Sequence, residues 1–173
     1  VHDRQRTRMT AIVLVDEDWG IGRAGHQIVY IPGDLKYFRE TTMGHAVILG
    51  RKTLATFPGG RPLKGRRNLI LSRDPAFAPE GAEVFSSLDA LLVAAPKDAF
   101  VIGGASVYAA LLDRCDTVYV TKVQGAFSAD CHFPDLDAHT EWGAAEEGAI
   151  QEEGGIQSRR SIYRKRSLTG LGL

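Results

Sequence analysis

A chain of 173 residues is long enough for one globular domain whose core folds without disulfides or bound metal. Hydrophobic residues make up 44% of it and charged residues 24%, which is ordinary for a soluble globular protein. Because 21 lysines and arginines balance 21 aspartates and glutamates, no overall charge attracts nucleic acid or an acidic membrane, and any anion site must be local.

Cysteine usage and hydropathy predict a cytoplasmic protein. Cys115 and Cys131 have no metal-ligand spacing and nothing suggests a secreted disulfide scaffold, so we expect two reduced, packed thiols. The apolar runs are too short for a membrane span, and we expect no leader peptide. We expect one domain over residues 9–166, with unstructured tails at 1–8 and 167–173.

The first strand is predicted at Thr10 to Val15, a short, continuous apolar run typical of a fully buried strand. Gly20 to Gly25 then matches the dinucleotide fingerprint G-x-G-x-x-G. That fingerprint needs a helix starting at the glycines and an acid about twenty residues later on a strand, and His26 to Tyr30 has no helical start. We therefore expect a mobile, lid-like loop.

One acidic side chain lies among apolar residues in Ile31 to Glu40. Pro32 favours a helix start, and on that helix Asp34 lies beside Leu35 and Phe38 on the apolar face. The helix dipole and free backbone N–H groups alone also favour an acid in a first turn. This segment by itself leaves a functional and a purely structural aspartate open.

The second buried strand, Ala46 to Leu49, ends at Gly50, and Arg51, Lys52 and Thr53 open a short helix. The likeness of Gly44 to Thr53 to a Walker loop is accidental, because the spacing is one residue too long and the supposed loop is itself a strand. Two cations and free amide N–H groups suit a phosphate here. Exposed cations at a helix start are, however, often surface residues that bind no ligand.

A rigid, turn-rich loop from Pro58 to Gly65 delivers Arg66 to a third strand, Asn68 to Leu71. Ser72 and Arg73 follow that strand with a hydroxyl and a cation. They form the second candidate phosphate contact.

A short strand at Glu83 to Phe85 and a helix capped by Ser87 precede Ala99 to Tyr108, a strand that runs through Gly103 and Gly104 into a helix. Paired glycines at such a junction let the backbone approach a ligand and aim N–H groups at an anion. A tight turn alone would also explain them. They lie, however, at the carboxyl end of a strand, where open α/β sheets bind ligands.

Thr117 to Val123 is predicted as a strand on which Thr121 faces away from Val118. Trp142 to Gly148 and Gln157 to Lys165 follow as two strands of an antiparallel hairpin. No internal repeat or linker splits the chain.

Three strand ends share one edge if the sheet is mostly parallel: Gly50 to Thr53, Ser72 with Arg73, and Gly103 to Ser106. Their combination suggests a dinucleotide that carries an extra phosphate. The surplus of cations favours NADP over NAD.

Four motifs occur in the order and spacing of dihydrofolate reductase: Ile31 to Phe38, Gly50 to Thr53, Arg66 to Asn68, and Val101 to Tyr108. The chain resembles this family from about Met9 to Arg166. In addition, Asp130 to Pro134 is similar to the family's late D-x-x-F-P segment.

The resemblance implies a single-domain α/β fold in which about four helices flank a mostly parallel, eight-stranded central sheet with a C-terminal antiparallel hairpin. It implies NADPH-dependent reduction of 7,8-dihydrofolate to 5,6,7,8-tetrahydrofolate, by hydride transfer to C6 and water-mediated protonation of N5. It further implies that the protein acts in one-carbon metabolism and is a target of antifolates. We expect a monomer that binds dihydrofolate and NADPH, but neither nucleic acid nor membrane.

Matching positions assign catalysis to Asp34, which would bind the amidine edge of the pterin, and to Thr121, which would support Asp34 through a hydrogen bond. Ile12 and Phe100 would offer backbone carbonyls to the pterin, and Arg66 would clasp the carboxylate of the glutamate tail. The substrate-binding residues implied in this way are Ile12, Val13, Leu35, Phe38, Phe57, Leu63, Arg66 and Phe100. The cofactor-binding residues are Leu14, Ile21, Gly50, Arg51, Lys52, Thr53, Ser72, Arg73, Gly103, Gly104, Ala105, Ser106, Val107 and Tyr108.

Where most of the family carries Pro-Trp ahead of the helix, this chain has Ile28 and Val29, followed by Tyr30. The indole N–H that helps hold a water near the acid is therefore missing, and strand alternation would aim Tyr30 elsewhere. Two extra residues near Pro58 to Gly60 also reshape the neighbouring loop. Proton delivery and antifolate sensitivity stay open. Burial should raise the pKa of Asp34, so we expect a rate that falls as Asp34 loses its proton.

Two other functions also stay open. A related fold reduces a ribosylamino-pyrimidine in flavin biosynthesis, again with NADPH, although Asp34 and Arg66 argue against it. The change at Val29 allows the second alternative, a catalytically silent NADPH-binding protein.

Overall fold

The computed structural model describes residues 9–166, so the predicted tails lie outside the described residues. No helix in this range is long and apolar enough to cross a membrane. The strands are β1 (Met9–Val15), β2 (Gly20–Arg23), β3 (His26–Gln27), β4 (Ala46–Gly50), β5 (Arg67–Leu71), β6 (Ala82–Phe85), β7 (Phe100–Gly103), β8 (Cys115–Val123), β9 (Cys131–His132), β10 (Trp142–Glu153) and β11 (Ile156–Lys165). The helices are α1 (Pro32–Thr42), α2 (Arg51–Ala55), α3 (Leu88–Ala94) and α4 (Ala105–Leu111), with 3₁₀ turns at Pro58–Gly60 and Leu112–Arg114.

The central sheet has the strand order β10-β11-β8-β1-β7-β4-β5-β6. From β8 to β6 every neighbouring pair is parallel, whereas β11 is antiparallel to both β8 and β10. The predicted eight-stranded, mostly parallel sheet with a C-terminal hairpin is confirmed.

Apolar layers cover both faces of the sheet, which explains why its inner strands are continuous apolar runs. Val13 on β1 belongs to a core cluster that includes Leu111 of α4. Ile12, the residue before it, belongs to a second cluster with Leu54 of α2, and Phe38 of α1 packs against that cluster. The sheet therefore separates the layer under α4 from the layer under α1 and α2.

Residues 20–27 form two short strands where the sequence predicts a loop. β2 pairs with β3 on one side and with β9 on the other, in a separate three-stranded sheet. The Asp16 carboxylate shapes the preceding turn by accepting from the N–H groups of Asp18 at 2.9 Å and Gly20 at 2.8 Å. The prediction of a loop is wrong, because pairing with the distant β9 makes β2 a strand. The glycine-rich sequence of β2 shows no alternation that would have predicted a strand.

The C-terminal hairpin is longer than predicted. β10 continues past Gly148 to Glu153, and its register with β11 is interrupted twice. The turn lies at Gly154 and Gly155, as predicted, with φ values of 60° and 80° that favour glycine. The extra length carries Glu153 to the tip of the hairpin.

Both cysteines are free thiols. Cys115 is buried in the core, and burial raises its pKa to about 12. The prediction of two unbridged thiols is therefore confirmed. The prediction that both are packed holds for Cys115 but not for Cys131, which is only half-buried.

Candidate active site

Asp34 lies in the first turn of α1 and reaches across to the sheet. Thr121 Oγ1 on β8 donates to Asp34 Oδ1 over 2.8 Å, and Thr121 is buried. In the described part of the chain, the hydrogen bond to this carboxylate thus comes from β8 and not from the free N–H groups of α1. The geometry therefore favours a role beyond helix capping.

Burial dominates the electrostatics of Asp34. Burial raises the pKa of its carboxyl group above that of an exposed aspartate, and the negative Glu153 adds to the rise. The hydrogen bond from Thr121 and the positive Arg160 act in the opposite direction without cancelling the rise. The predicted direction of the shift is confirmed, and Asp34 keeps its proton to a higher pH than an exposed aspartate does.

The apolar cluster under α1 and α2 forms the wall beside Asp34. Five predicted substrate residues lie in it or pack against it: Ile12, Phe38, Phe57, Leu63 and Phe100. The same set also contains residues that we did not predict as substrate contacts, among them Tyr37, Leu54 and Ile102. Ile102 follows Phe100 by two positions on β7, so strand alternation is the signal that could have identified it.

The structure does not bring two other predicted substrate side chains into this cluster. Val13 points into the core on the opposite face of the sheet, so only its backbone is available to the cleft. Leu35 is 41% exposed. Both stay predictions as substrate contacts.

Arg66 lies between the end of α1 and the start of β5. Its Nη1 donates to Thr42 Oγ1 at 3.2 Å, and its Nε donates to the Lys64 carbonyl at 3.0 Å. Burial lowers the pKa of Arg66, and repulsion from Arg39 adds to that effect. Arg39 is thus a second cation near this position, one that we did not predict.

The three predicted phosphate-binding segments meet at one edge of the sheet. β7, β4 and β5 are adjacent and parallel, so Gly50, Ser72 and Gly103 lie at their carboxyl ends side by side. The predicted juxtaposition is confirmed. Gly103 has a φ of 126°, a backbone conformation that favours glycine.

Glycines allow α2 and α4 to begin in close contact. A Cβ atom at Gly104 would lie 3.2 Å from Thr53 Oγ1, and one at Gly50 would lie 3.2 Å from Val107 Cγ2. The two helix starts therefore leave little space between them.

The cations at this edge have different surroundings. Arg51 Nη1 donates to Asp74 Oδ2 at 2.8 Å and lies over the ring of Phe77, 4.6 Å from its centroid. Lys52 and Arg73 are exposed. Of the remaining predicted cofactor residues, Ser72 is buried, Ser106 is exposed and Ala105 is half-buried.

Tyr108 connects the cofactor side to the strand beside Asp34. It is buried, and its hydroxyl donates to the Ile12 carbonyl over 2.6 Å. Burial raises the pKa of Tyr108 far above its usual range, so the hydroxyl stays a donor. Ile21 of β2 packs against the same core cluster as Tyr108.

The segment that lacks the indole is filled by aliphatic side chains. Leu14, Ile31 and Val123 form a buried cluster, and Val29 packs against it. Tyr30 is 69% exposed and so points to solvent, as expected, although residues 28–31 form no strand. No aromatic side chain therefore replaces the indole from residue 29 or 30.

A cavity of about 60 Å³ lies behind Asp34, between α1 and the C-terminal hairpin. It is lined by Ile31, Gly33, Asp34, Gln151, Glu152, Glu153, Ser158 and Arg160. This volume and polar lining suit a few water molecules. Water can thus approach Asp34 from the hairpin side.

The chain matches the family model described as dihydrofolate reductase over residues 8–165. The dihydrofolate reductase type 3 of Salmonella typhimurium is 43% identical over 108 residues, which are 61% of this chain and 65% of that protein. The dihydrofolate reductase of Bacillus subtilis is 38% identical over 128 residues, or 73% of this chain and 75% of that protein.

A solved structure agrees in fold. Dihydrofolate reductase from Enterococcus faecalis, complexed with NADP(H) and RAB-propyl, superposes with a TM-score of 0.81 at 30% sequence identity. The match covers 94% of this chain and 98% of that one. The sheet order, the Asp34 site and the family match agree, and the chain belongs to the dihydrofolate reductase family.

Proposed function

We propose that this protein reduces 7,8-dihydrofolate to 5,6,7,8-tetrahydrofolate with NADPH, by hydride transfer to C6 and water-mediated protonation of N5. The observation that carries the proposal is the half-buried Asp34, hydrogen-bonded to Thr121 and raised in pKa beside an apolar wall. Membership of the family supports the reaction, and the NADP(H) complex of the Enterococcus faecalis relative supports the cofactor.

The sheet edge at β4, β5 and β7 fits NADPH. Gly50 and Gly104 allow the starts of α2 and α4 to lie close together there, because a Cβ atom at either position would press on the opposite helix. Lys52 and Arg73 are exposed cations suited to phosphates, and Arg51 is braced against Asp74. When bound, NADPH supplies the hydride.

Asp34 orients the pterin and polarises its ring. A carboxyl group in an apolar setting can both accept from the amidine edge and share its proton, and no other described acid accepts a hydrogen bond from Thr121. Protonation of N5 then draws on water near Asp34. The cavity between α1 and the hairpin offers one path for that water.

Arg66 binds the carboxylate of the glutamate tail. Thr42 and the Lys64 carbonyl hold its guanidinium in place at the end of α1. The unfavourable proximity of Arg39 to Arg66 is relieved when a carboxylate lies between the two cations.

The decisive assay mixes the protein with NADPH and one of two substrates, and follows the nicotinamide absorbance. We expect a loss of absorbance with dihydrofolate and none with a ribosylamino-pyrimidine. Turnover of the pyrimidine alone would identify a flavin-pathway reductase. Cofactor binding without turnover of either substrate would identify a silent NADPH-binding protein.

The role of Asp34 is tested with a matched pair of variants. Asp34→Asn should lower kcat/KM by about 100-fold or more, because it removes the titrating carboxyl group. Asp89→Asn should leave kcat/KM unchanged, since Asp89 is also a first-turn acid but is exposed on α3. In the parent, kcat/KM should fall as pH rises through the pKa of Asp34. Undiminished turnover of Asp34→Asn at neutral pH would refute the role.

A further inference from the structure

The C-terminal hairpin holds both backbone groups of the residue before Asp34. The Gly33 N–H donates to the carboxylate of Glu153, at 3.0 Å to Oε1 and 3.2 Å to Oε2. The Gly33 carbonyl accepts from Arg160 Nη2 at 3.3 Å. The N-cap residue, Ile31, provides no side-chain acceptor, so Glu153 caps α1 from another element. A Cβ atom at Gly33 would collide with Glu153, so glycine permits this contact.

Arg160 contacts α1 a second time and lies beside Thr121. Its guanidinium carbon is 4.2 Å from the ring centroid of Tyr37, one helical turn after Gly33. On the sheet, Arg160 of β11 is paired in register with Thr121 of β8. Paired residues project on the same face, so Arg160 and the hydrogen-bond donor to Asp34 approach α1 side by side.

We propose that Glu153 and Arg160 are positioning residues that form a hairpin clamp, which fixes the first turn of α1 and governs the protonation of Asp34. The inference deepens the proposed function and rests on it. The clamp supplies the helix cap that the local sequence lacks, since the N-cap residue Ile31 has no side-chain acceptor.

The two members of the hairpin clamp bring opposite charges to Asp34. Attraction by Arg160 favours the ionised carboxylate, and repulsion by Glu153 favours the protonated acid. Glu153 of β10 and Arg160 of β11 act on Asp34 directly, beside the hydroxyl of Thr121. The other titratable groups around it are Tyr37 of α1, Tyr119 of β8, Tyr108 of α4 and Glu152 of β10, which lines the cavity behind Asp34. Among these groups, Glu153 and Arg160 are the two whose charges shift the pKa of Asp34.

The test measures kcat/KM against pH for Arg160→Gln and Glu153→Gln, each normalised to its own acidic plateau. Loss of the cation should move the alkaline fall to higher pH, and loss of the anion should move it to lower pH. At a fixed pH on the falling limb, the normalised rate should rise about two- to fivefold in Arg160→Gln and drop by about the same factor in Glu153→Gln. A purely structural role would change the plateau and leave both midpoints in place.

Arg159→Gln is the matched control. Arg159 is the adjacent residue on β11, points to the other face of the sheet and pairs with Glu147 at 3.9 Å. It should keep the parental midpoint. Midpoints of Arg160→Gln and Glu153→Gln that coincide with the parent, or that move in the same direction, would overturn the proposal.

A second readout separates the hairpin clamp from the proposed reaction. Carbon-13 NMR of labelled aspartate carboxyl groups follows the titration of Asp34 without any substrate. If the titration midpoint of Asp34 moves in opposite directions in the two variants but the protein reduces no dihydrofolate, the clamp stands and the proposed reaction is refuted. If both variants keep the parental midpoint, the clamp is refuted whatever the assay shows. Glu153 is exposed, so we expect Glu153→Gln to fold. That variant alone tests the clamp if Arg160→Gln fails to fold. Arg160→Lys, which keeps the charge, should keep the parental titration.

Discussion

Asp34 holds a carboxyl group where ionisation costs free energy. Its apolar neighbours raise its pKa, and Thr121 limits the rise by a single hydrogen bond. A carboxyl group in such a setting lowers the stability of the fold, but its raised pKa suits it to proton transfer. The cost in folding stability at this residue is therefore consistent with the proton chemistry proposed for it.

Asp34→Asn should raise the free energy of unfolding at neutral pH. The folded pKa lies above the unfolded value of 3.8, so the folded state binds the proton more tightly. Stability is then lost as pH rises from 3.8 through the folded pKa, and asparagine removes this loss while its oxygen still accepts from Thr121. Urea unfolding of parent and variant across pH should show no gain below pH 3.8 and a growing gain above it. A difference that is constant with pH would contradict this explanation.

Sequence reasoning found Asp34 and Thr121 because local patterns place them. A proline-initiated helix and the alternation of a strand place the two side chains, whereas their pairing was implied only by the resemblance to the family. Glu153 and Arg160 were missed because their approach to Gly33 depends on the hairpin's interrupted register. No local pattern reports that register.

At the scale of elements, the end of α1 and the start of β5 meet at Arg66. Thr42 is the last residue of α1, and Arg66 immediately precedes β5. The hydrogen bond between their side chains fixes a cation at the junction. This junction is where the proposed substrate tail ends.

Arg66→Gln should raise the KM for dihydrofolate and leave kcat nearly unchanged. A charge-assisted contact to a tail remote from the reacting carbon contributes equally to the ground and transition states. We expect a rise of about 10- to 100-fold in steady-state kinetics. Arg67→Gln is the control, because the side chain of Arg67 is engaged with Glu83 on β6. An equal effect of both substitutions would remove Arg66 from the site.

Buried parallel strands were the most predictable elements, because their apolar runs are continuous. β1, β4 and β5 lie within a residue or so of their predicted bounds. β2 was missed and β10 was predicted too short, because both contain glycines that mimic breaks in a strand. The pairing of β2 with the distant β9, and of β10 with the adjacent β11, overrides that local signal.

At the scale of the whole molecule, two apolar layers stabilise the sheet. Leu111 of α4 is completely buried in the layer opposite Asp34. Leu111→Ala should lower the free energy of unfolding by about 2–5 kcal/mol, through lost burial and a residual cavity. Val93→Ala should change it by less than about 0.5 kcal/mol, since Val93 is 89% exposed. Urea unfolding with unchanged m-values measures both, and equal losses would contradict the two-layer description.

The architecture was predictable only from several motifs together. Gly103 with Gly104 or Arg51 with Lys52 is weak evidence separately, whereas their joint order along the chain indicated the family that the comparisons confirm. The monomeric state, the cytoplasmic location and the place in one-carbon metabolism stay predictions. They depend on partners and compartments, which one chain's packing does not report.

The position of β1 constrains how the protein is made. β1 precedes every other described strand, yet its two neighbours in the sheet are β7 and β8, the latter ending at Val123. During translation, the apolar run Met9–Val15 has neither sheet partner until β7 has emerged from the ribosome, and it has only one until β8 follows. A nascent chain that stalls before Val123 therefore exposes this apolar, incompletely paired strand to chaperones and proteases.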